Sequence, residues 1–242
     1  MKLRHILCVG LSLSLSTSVF EAQAQDKSPP AIAYGQGGCG RLTGGQALPC
    51  RSDNFQAFAD TACLLGRNYV HPLLAQTLID AYARLRKTHP RRDWQYGDLG
   101  WKQGGKFAPH RTHQNGLSAD FFTPVIDEHK KPTLLPIKIT NTFGYGIEFD
   151  RRGRFEKFEI DWKAMADHLV VLKKAGQIHG VKIKRVILDP KLQTIFLKEA
   201  PKAKAFRRLF NKRQAWVRHD EHYHIDFEIP KLLRRSMSCR KR

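Results

Sequence analysis

Two hydrophobic periods organise the chain. Helical spacing runs through Leu73, Leu74, Leu78, Ala81 and Leu85, just after His71-Pro72, where proline suits the first helical position. Arg84, Arg86 and Lys87 load the C-terminal end with the positive charge that a helix dipole favours, and Pro90 stops the helix. A second stripe, Met165, Leu169, Leu172 and Ala175, follows the capping residue Asp161 and ends at Gly180, where a left-handed residue is commonly needed. Asp189-Pro190 opens a shorter helix. Extended, apolar-rich runs predict strands over residues 136–139, 147–149, 155–160, 181–188 and 217–229. The turn at 150–153 joins 147–149 to 155–160 as an expected hairpin. Phe121 and Phe122 place Asp120 at the start of a further buried strand. Irregular alternation of strands and helices with a hairpin predicts an α+β single domain, a central and largely antiparallel sheet flanked by helices. The length suits one core.

The ends read differently. Lys2 and Arg4, the apolar and serine-rich residues 6–20, and Ala22-Gln-Ala24 have the order of a cleaved signal peptide over 1–24. That run is too short and serine-rich for a good membrane anchor, and no later run reaches a spanning length. Cys8 lies too near Met1 for a lipoprotein signal. Residues 25–53, with Ser28-Pro-Pro30 and the glycines up to Gly38, read as a flexible arm before a domain over 54–242. Export leaves Cys39, Cys50, Cys63 and Cys239, with no Cys-x2-Cys pair, and an even count in an oxidising compartment favours disulfides. Three connectivities are open. Cys39–Cys239, tying arm to tail, with Cys50–Cys63 closing a short loop, is the favoured expectation.

The formal charge is +20, and removing Lys2, Arg4 and Glu21 leaves +19. Such a charge speaks to partners rather than to fold. The cations are scattered, and no helix-turn-helix, zinc-finger or RNA-recognition signature accompanies them, so no nucleic-acid partner is expected. Anionic envelope components fit better: the carboxylates of peptidoglycan stem peptides, or peripheral contact with anionic lipid head groups.

Five of the eleven histidines fall in two short stretches, His110-Arg-Thr-His113-Gln-Asn-Gly-Leu-Ser-Ala-Asp120 and His219-Asp-Glu-His222-Tyr-His224. Imidazole and carboxylate are the ligands of catalytic zinc, where three protein groups leave a position open. On a strand, His222 and His224 share a face, so one can bind metal while the other handles protons. No His-Glu-x-x-His and no Gly-x-Ser-x-Gly occurs, which removes a thermolysin-like helix and leaves a serine nucleophile unsupported. The glycine-rich segment 96–109 has no clean period and leads into the first stretch, as loops that line or cover a site commonly do.

The pair His113-x6-Asp120 and His222-x-His224 resembles the zinc signature of the lysostaphin, D-alanyl-D-alanine and hedgehog metallopeptidase folds. Tyr-Gly97-Asp98-Leu, Gly104-Gly105, His113-Gln-Asn-Gly116-Leu117, Arg67-Asn-Tyr-Val-His71-Pro, Gly146-Ile-Glu-Phe149 and Arg185-Val-Ile-Leu-Asp189-Pro190 are similar to the penicillin-insensitive murein endopeptidases. The likeness spans roughly Tyr34 to Pro230. It departs at Ser118, where that family usually has a carboxylate. The resemblance implies one zinc ion held by His113, Asp120 and His224, and cleavage of D-alanyl–meso-diaminopimelate cross-links in the periplasm. His222 is then the expected proton shuttle, since its intrinsic pKa lies near working pH. His219 is expected as a second catalytic imidazole, and His110 as a substrate contact or a support to a ligand. Asp98 is expected either to orient a ligand imidazole or to cap a turn, and Gln114 and Asn115 to meet substrate amides. A D,D- or L,D-carboxypeptidase and a non-enzymatic basic envelope-binding protein remain as alternatives.

Overall fold

The computed structural model describes residues 29–239, so the expected signal peptide over 1–24 lies outside the described residues. In chain order, the N-terminal part contains β1 (Ile32–Gln36), β2 (Cys39–Thr43), β3 (Gln46–Ala47), β4 (Phe55–Ala57), α1 (Asp60–Leu64), β5 (Tyr69–Val70), α2 (Pro72–Thr88) and β6 (Trp94–Tyr96). After a long loop come β7 (Ser118–Phe122), β8 (Val125–Ile126), β9 (Pro132–Thr133), β10 (Arg154–Phe155) and β11 (Phe158–Ile160). The chain closes with α3 (Trp162–His179), β12 (Lys182–Ile187), α4 (Pro190–Glu199), β13 (His222–Glu228) and β14 (Arg234–Arg235). The class is α+β, as expected.

The central sheet has the order β12-β13-β7-β6-β4 and is antiparallel except where β4 runs parallel to β6. Its two faces have different chemistry because side chains alternate along a strand. Tyr223, Ile225 and Phe227 of β13, with Ala119 and Phe121 of β7, are buried in the main core, where Leu74, Leu78 and Leu85 of α2 and Met165, Leu169 and Leu172 of α3 also lie. His222, His224 and Asp226, with Ser118 and Asp120, alternate with them on the opposite face. Within the core His168 bonds the Tyr223 hydroxyl through Nδ1 and packs against Trp94 and Phe121.

The long helices follow their sequence signals. His71 caps α2 by accepting from Leu73 N, Pro72 occupies its first turn, and Asp161 caps α3 by accepting from Ala164 N. Gly180 ends α3 at φ 70°, in the left-handed region. Both expected disulfides, Cys39–Cys239 and Cys50–Cys63, are present.

Three local expectations are corrected. Strands β1 and β2 form an antiparallel pair within the stretch read as an arm, and β14 adds to β1 in parallel, so folded structure extends back to Ile32 rather than beginning near Asn54. Ala33, Leu42 and Leu48 are buried there, but the intervening glycines hide the alternation. Residues 136–139 and 147–149 are not strands. Asn141 folds its own neighbourhood, accepting from Lys138 N and Gly144 N and donating to Pro136 O, and this competes with any ladder. Phe149 N bonds the Asp220 side chain instead of a strand. The true partner of β10 is β11, which pairs in turn with β8.

Candidate metal centre

The register of the two central strands sets the site. β13 and β7 pair so that His224 lies opposite Asp120, His222 opposite Phe122 and Asp226 opposite Ser118. The chain beyond β6 extends this ladder: Gly97 N bonds Asp120 O at 2.7 Å and Asp120 N bonds Asp98 O at 3.0 Å. Gly97 is required by this closeness, since a Cβ there would come within 2.9 Å of the Asp120 Cβ. The glycine-rich loop then carries His110 and His113 over the sheet. His113 has φ 68° and His219 has φ 59°, both in the left-handed region that non-glycine residues rarely adopt.

The imidazoles converge on the Asp120 carboxylate. His113 Nε2 is 3.3 Å and His110 Nδ1 is 3.7 Å from Asp120 Oδ2, while His224 Nδ1 is 2.7 Å from Oδ1. His222 Nε2 stands 4.0 Å from Oδ2. One ligand atom each from His110, His113 and Asp120 lies within 4.8 Å of the others, a group able to hold a metal ion. His113 and His224 meet edge to face at 4.8 Å between ring centroids. Asp120 and the rings of His113, His222 and His224 are all buried.

Each ring has its far nitrogen engaged. His113 Nδ1 donates to Leu99 O at 2.9 Å, His219 Nδ1 to Val217 O at 2.9 Å, and His222 Nδ1 to Glu221 Oε1 at 2.9 Å. His110 Nε2 bonds Asp98 Oδ2 at 2.8 Å. This leaves His113 Nε2 and His222 Nε2 buried with no hydrogen-bond partner, both near the same Asp120 oxygen. A buried imidazole nitrogen whose opposite N–H is fixed by a carbonyl is the arrangement of a metal ligand. The donor set, imidazole nitrogens around one carboxylate, therefore fits a divalent ion of the zinc type.

The electrostatics follow from burial opposed by charge. Burial lowers the His113 pKa, and Asp120 offsets that only in part. Burial pulls His222 down, but the adjacent Glu221 carboxylate outweighs it and carries the ring up to about 9. For His224, hydrogen bonds to Asp120 and Asp226 outweigh burial in the same way, giving about 9. His219, desolvated and facing His222, falls to about 4. Burial raises Asp120, yet His113 and His224 hold it well below the usual carboxylate range.

The cluster opens on a cleft of about 320 Å³ lined by Phe58, Ala62, Leu65, Phe122, Phe143 and Tyr145 on its apolar side and by His110, Asp120, Glu221 and His222 on its polar side. Arg67 also lines it, but its guanidinium is spent on Asp98, with Nε and Nη2 each 2.7 Å from a carboxylate oxygen. Asp98 thus orients His110 rather than His113. His219 packs against His222 at 4.8 Å between centroids. Gln114 lines a separate cavity beside His110, with Gly105 and Arg111, and Asn115 lines another with Ser118 and Asp226. Neither lines the cleft.

Sequence reasoning missed four residues of this neighbourhood. Glu221 is adjacent to His222, and the period-two rule places neighbours on opposite faces. It escapes that rule because it precedes β13, where Thr123 N bonds its carbonyl. Asp226 extended the series His222, His224 by one more step and was legible in principle. Tyr145, whose ring meets His222 edge-on at 6.1 Å, is distant in sequence and carries no local signal, whereas Arg67 opened a segment similar to the family but was given no role of its own. Ser118 donates to Asp226 at 2.8 Å, so its hydroxyl supports a carboxylate carried on the neighbouring strand.

No curated relative matches the chain. The family model described as penicillin-insensitive murein endopeptidase matches residues 32–242, from the first strand through the histidine stretches to the final residue. With nearly all of the described structure inside that match, the chain belongs to the penicillin-insensitive murein endopeptidase family.

Proposed function

We propose that this protein is a zinc-dependent endopeptidase that opens D-alanyl–meso-diaminopimelate cross-links of peptidoglycan in the periplasm. The observation that carries the reading is the convergence of His113 Nε2 and His224 Nδ1 on the buried Asp120 carboxylate, with the opposite nitrogen of each ring engaged. His113, Asp120 and His224 would hold the metal, with His110 Nδ1, which groups with His113 and Asp120, as the neighbouring donor. Zinc bound there supplies a Lewis acid that activates water and polarises the amide carbonyl. The rest of the chemistry falls to the chain. His222 has Nδ1 fixed by Glu221 and presents Nε2 beside Asp120, which suits it to hold the proton that the leaving amine requires. His219, packed on His222 behind the cleft lining, is the second imidazole and acts through that ring. The apolar wall of Phe58, Leu65, Phe122 and Phe143 suits the methyl groups of D-alanine.

An endopeptidase reading is favoured over a carboxypeptidase by Arg67. A terminal carboxylate needs a free cation to clamp it, and the arginine of the cleft is already paired with Asp98. Two disulfides fit an oxidising compartment. Among the described residues no helix is long and apolar enough to cross a membrane. Incubation of purified sacculi with protein lacking residues 1–24 should convert cross-linked dimer muropeptides to monomers, a chelator should stop the reaction, and added zinc should restore it. Dimers unchanged with and without chelator would sink the reading.

A further inference from the structure

His224 has a second carboxylate on its far side. Its Nε2 is 2.8 Å from Asp226 Oδ1, while Nδ1 faces Asp120 Oδ1 at 2.7 Å. Asp226 is itself held from two directions. Ser118, directly opposite on β7, donates Oγ–H to Asp226 Oδ1 at 2.8 Å. Arg185 of β12 brings Nε to 2.8 Å and Nη2 to 2.6 Å from Oδ2. Three donors besides the imidazole thus meet one carboxylate, and an ionised carboxylate is an acceptor only. The imidazole nitrogen facing it must then carry a proton, which commits Nε2 to Asp226 and leaves Nδ1, now donating to Asp120, as the nitrogen a metal would take in place of its proton. Rotation of the ring by half a turn would break this bond inside a site where His224 is only 2% exposed.

From this we infer that Asp226, secured by Arg185 and Ser118, is a positioning residue that presents His224 Nδ1 to the metal, an inference that rests on the metal reading proposed above. The network uses three strands, β12, β13 and β7, so the ligand is aimed by the sheet itself rather than by the overlying loop. Outer carboxylates of this kind are commonly worth 10–100-fold in metal affinity.

The test compares zinc affinity, by chelator competition, and the visible spectrum of the cobalt(II)-substituted protein for wild type, Asp226→Ala, Asp226→Asn and Ser118→Ala. Asp226→Ala should bind zinc roughly 10–100-fold more weakly with an altered cobalt spectrum. Asp226→Asn, which keeps an acceptor oxygen for Nε2–H, should recover most of the loss, and Ser118→Ala should lose less than Asp226→Ala. Circular dichroism reports folding. Should Asp226→Ala fail to fold, Ser118→Ala decides, and wild-type affinity and spectrum in that variant overturn the inference. A folded Asp226→Ala with wild-type zinc affinity and cobalt spectrum overturns it alone, leaving the metal reading intact. A wild type that binds neither ion overturns both.

Discussion

Removing the two disulfides separately should divide stability from substrate binding. Cys39–Cys239 spans 200 residues and Cys50–Cys63 spans 13. In the chain-entropy picture, opening the long loop costs about 5 kcal/mol and the short one about 3 kcal/mol, since the penalty grows only as the logarithm of loop length. For a domain of this size those losses correspond to falls in Tm of roughly 10–20 °C and 6–12 °C. The cleft responds in the opposite order. Cys63 lies in α1, a helix of five residues too short to hold its shape unaided. Thr61 and Ala62 of that helix, and Leu65 just after it, line the cleft. Cys39–Cys239 ties β2 to the tail after β14, and neither cysteine lines the cleft. The Cys50→Ser/Cys63→Ser variant should therefore raise KM by roughly threefold to tenfold, about 0.6–1.4 kcal/mol. Its kcat should change less. Cys39→Ser/Cys239→Ser should lose more stability and keep KM. Thermal denaturation paired with initial rates on purified dimer muropeptide measures both. A larger Tm loss for the short loop, or an unchanged KM in Cys50→Ser/Cys63→Ser, would refute the reasoning.

Two further outcomes are expected. His224→Ala should lose zinc and activity together, whereas His222→Ala should keep zinc and lose roughly 10²–10⁴-fold in kcat; metal analysis and rates on one preparation check this, and the reverse pattern would exchange the two roles. His168, buried beside Tyr223, has its pKa lowered by burial to about 3, below its ordinary 6.5. The unfolded chain therefore takes up this proton first. Stability is complete above pH 6.5 and falls towards pH 3 with a slope approaching about 1.4 kcal/mol per pH unit. Urea denaturation from pH 7 to 4 should show a shallower acid loss for His168→Gln, and parallel curves would exclude the assignment.

Legibility in the sequence followed the range of the interactions. Helices α2 and α3 were readable because start, stripe and stop lie within one segment: His71-Pro72 and Pro90, or Asp161 and Gly180. The histidines could be placed on a common strand because period two needs only neighbouring residues, and Asp120 stood near Phe121 and Phe122 for the same reason. Strands β1 and β14 were not legible, since they pair across about 200 residues through Ala33 and Arg234 and carry little alternation of their own. The segment around Asn141 read as strand because its apolar residues mimic one, while a single side-chain amide redirects the backbone. At the site, residue types suggested imidazoles and carboxylates, but their partners were set by tertiary structure. Asp98 was expected to orient a ligand or cap a turn, and the ring it bonds is that of His110, because the ladder beside β7 brings the two together.

The left-handed backbone at His113 and His219 bears on how this protein responds to selection for durability. Each such residue costs about 1–2 kcal/mol relative to an unstrained one, but glycine would release it only by emptying the place of a buried ring, a loss of about 2–5 kcal/mol. A screen that rewards heat resistance alone therefore finds no ready gain at 113 or 219, where the packing of each ring outweighs the strain of its backbone. Both histidines would persist through such a screen, and gains in durability would come from positions elsewhere in the fold.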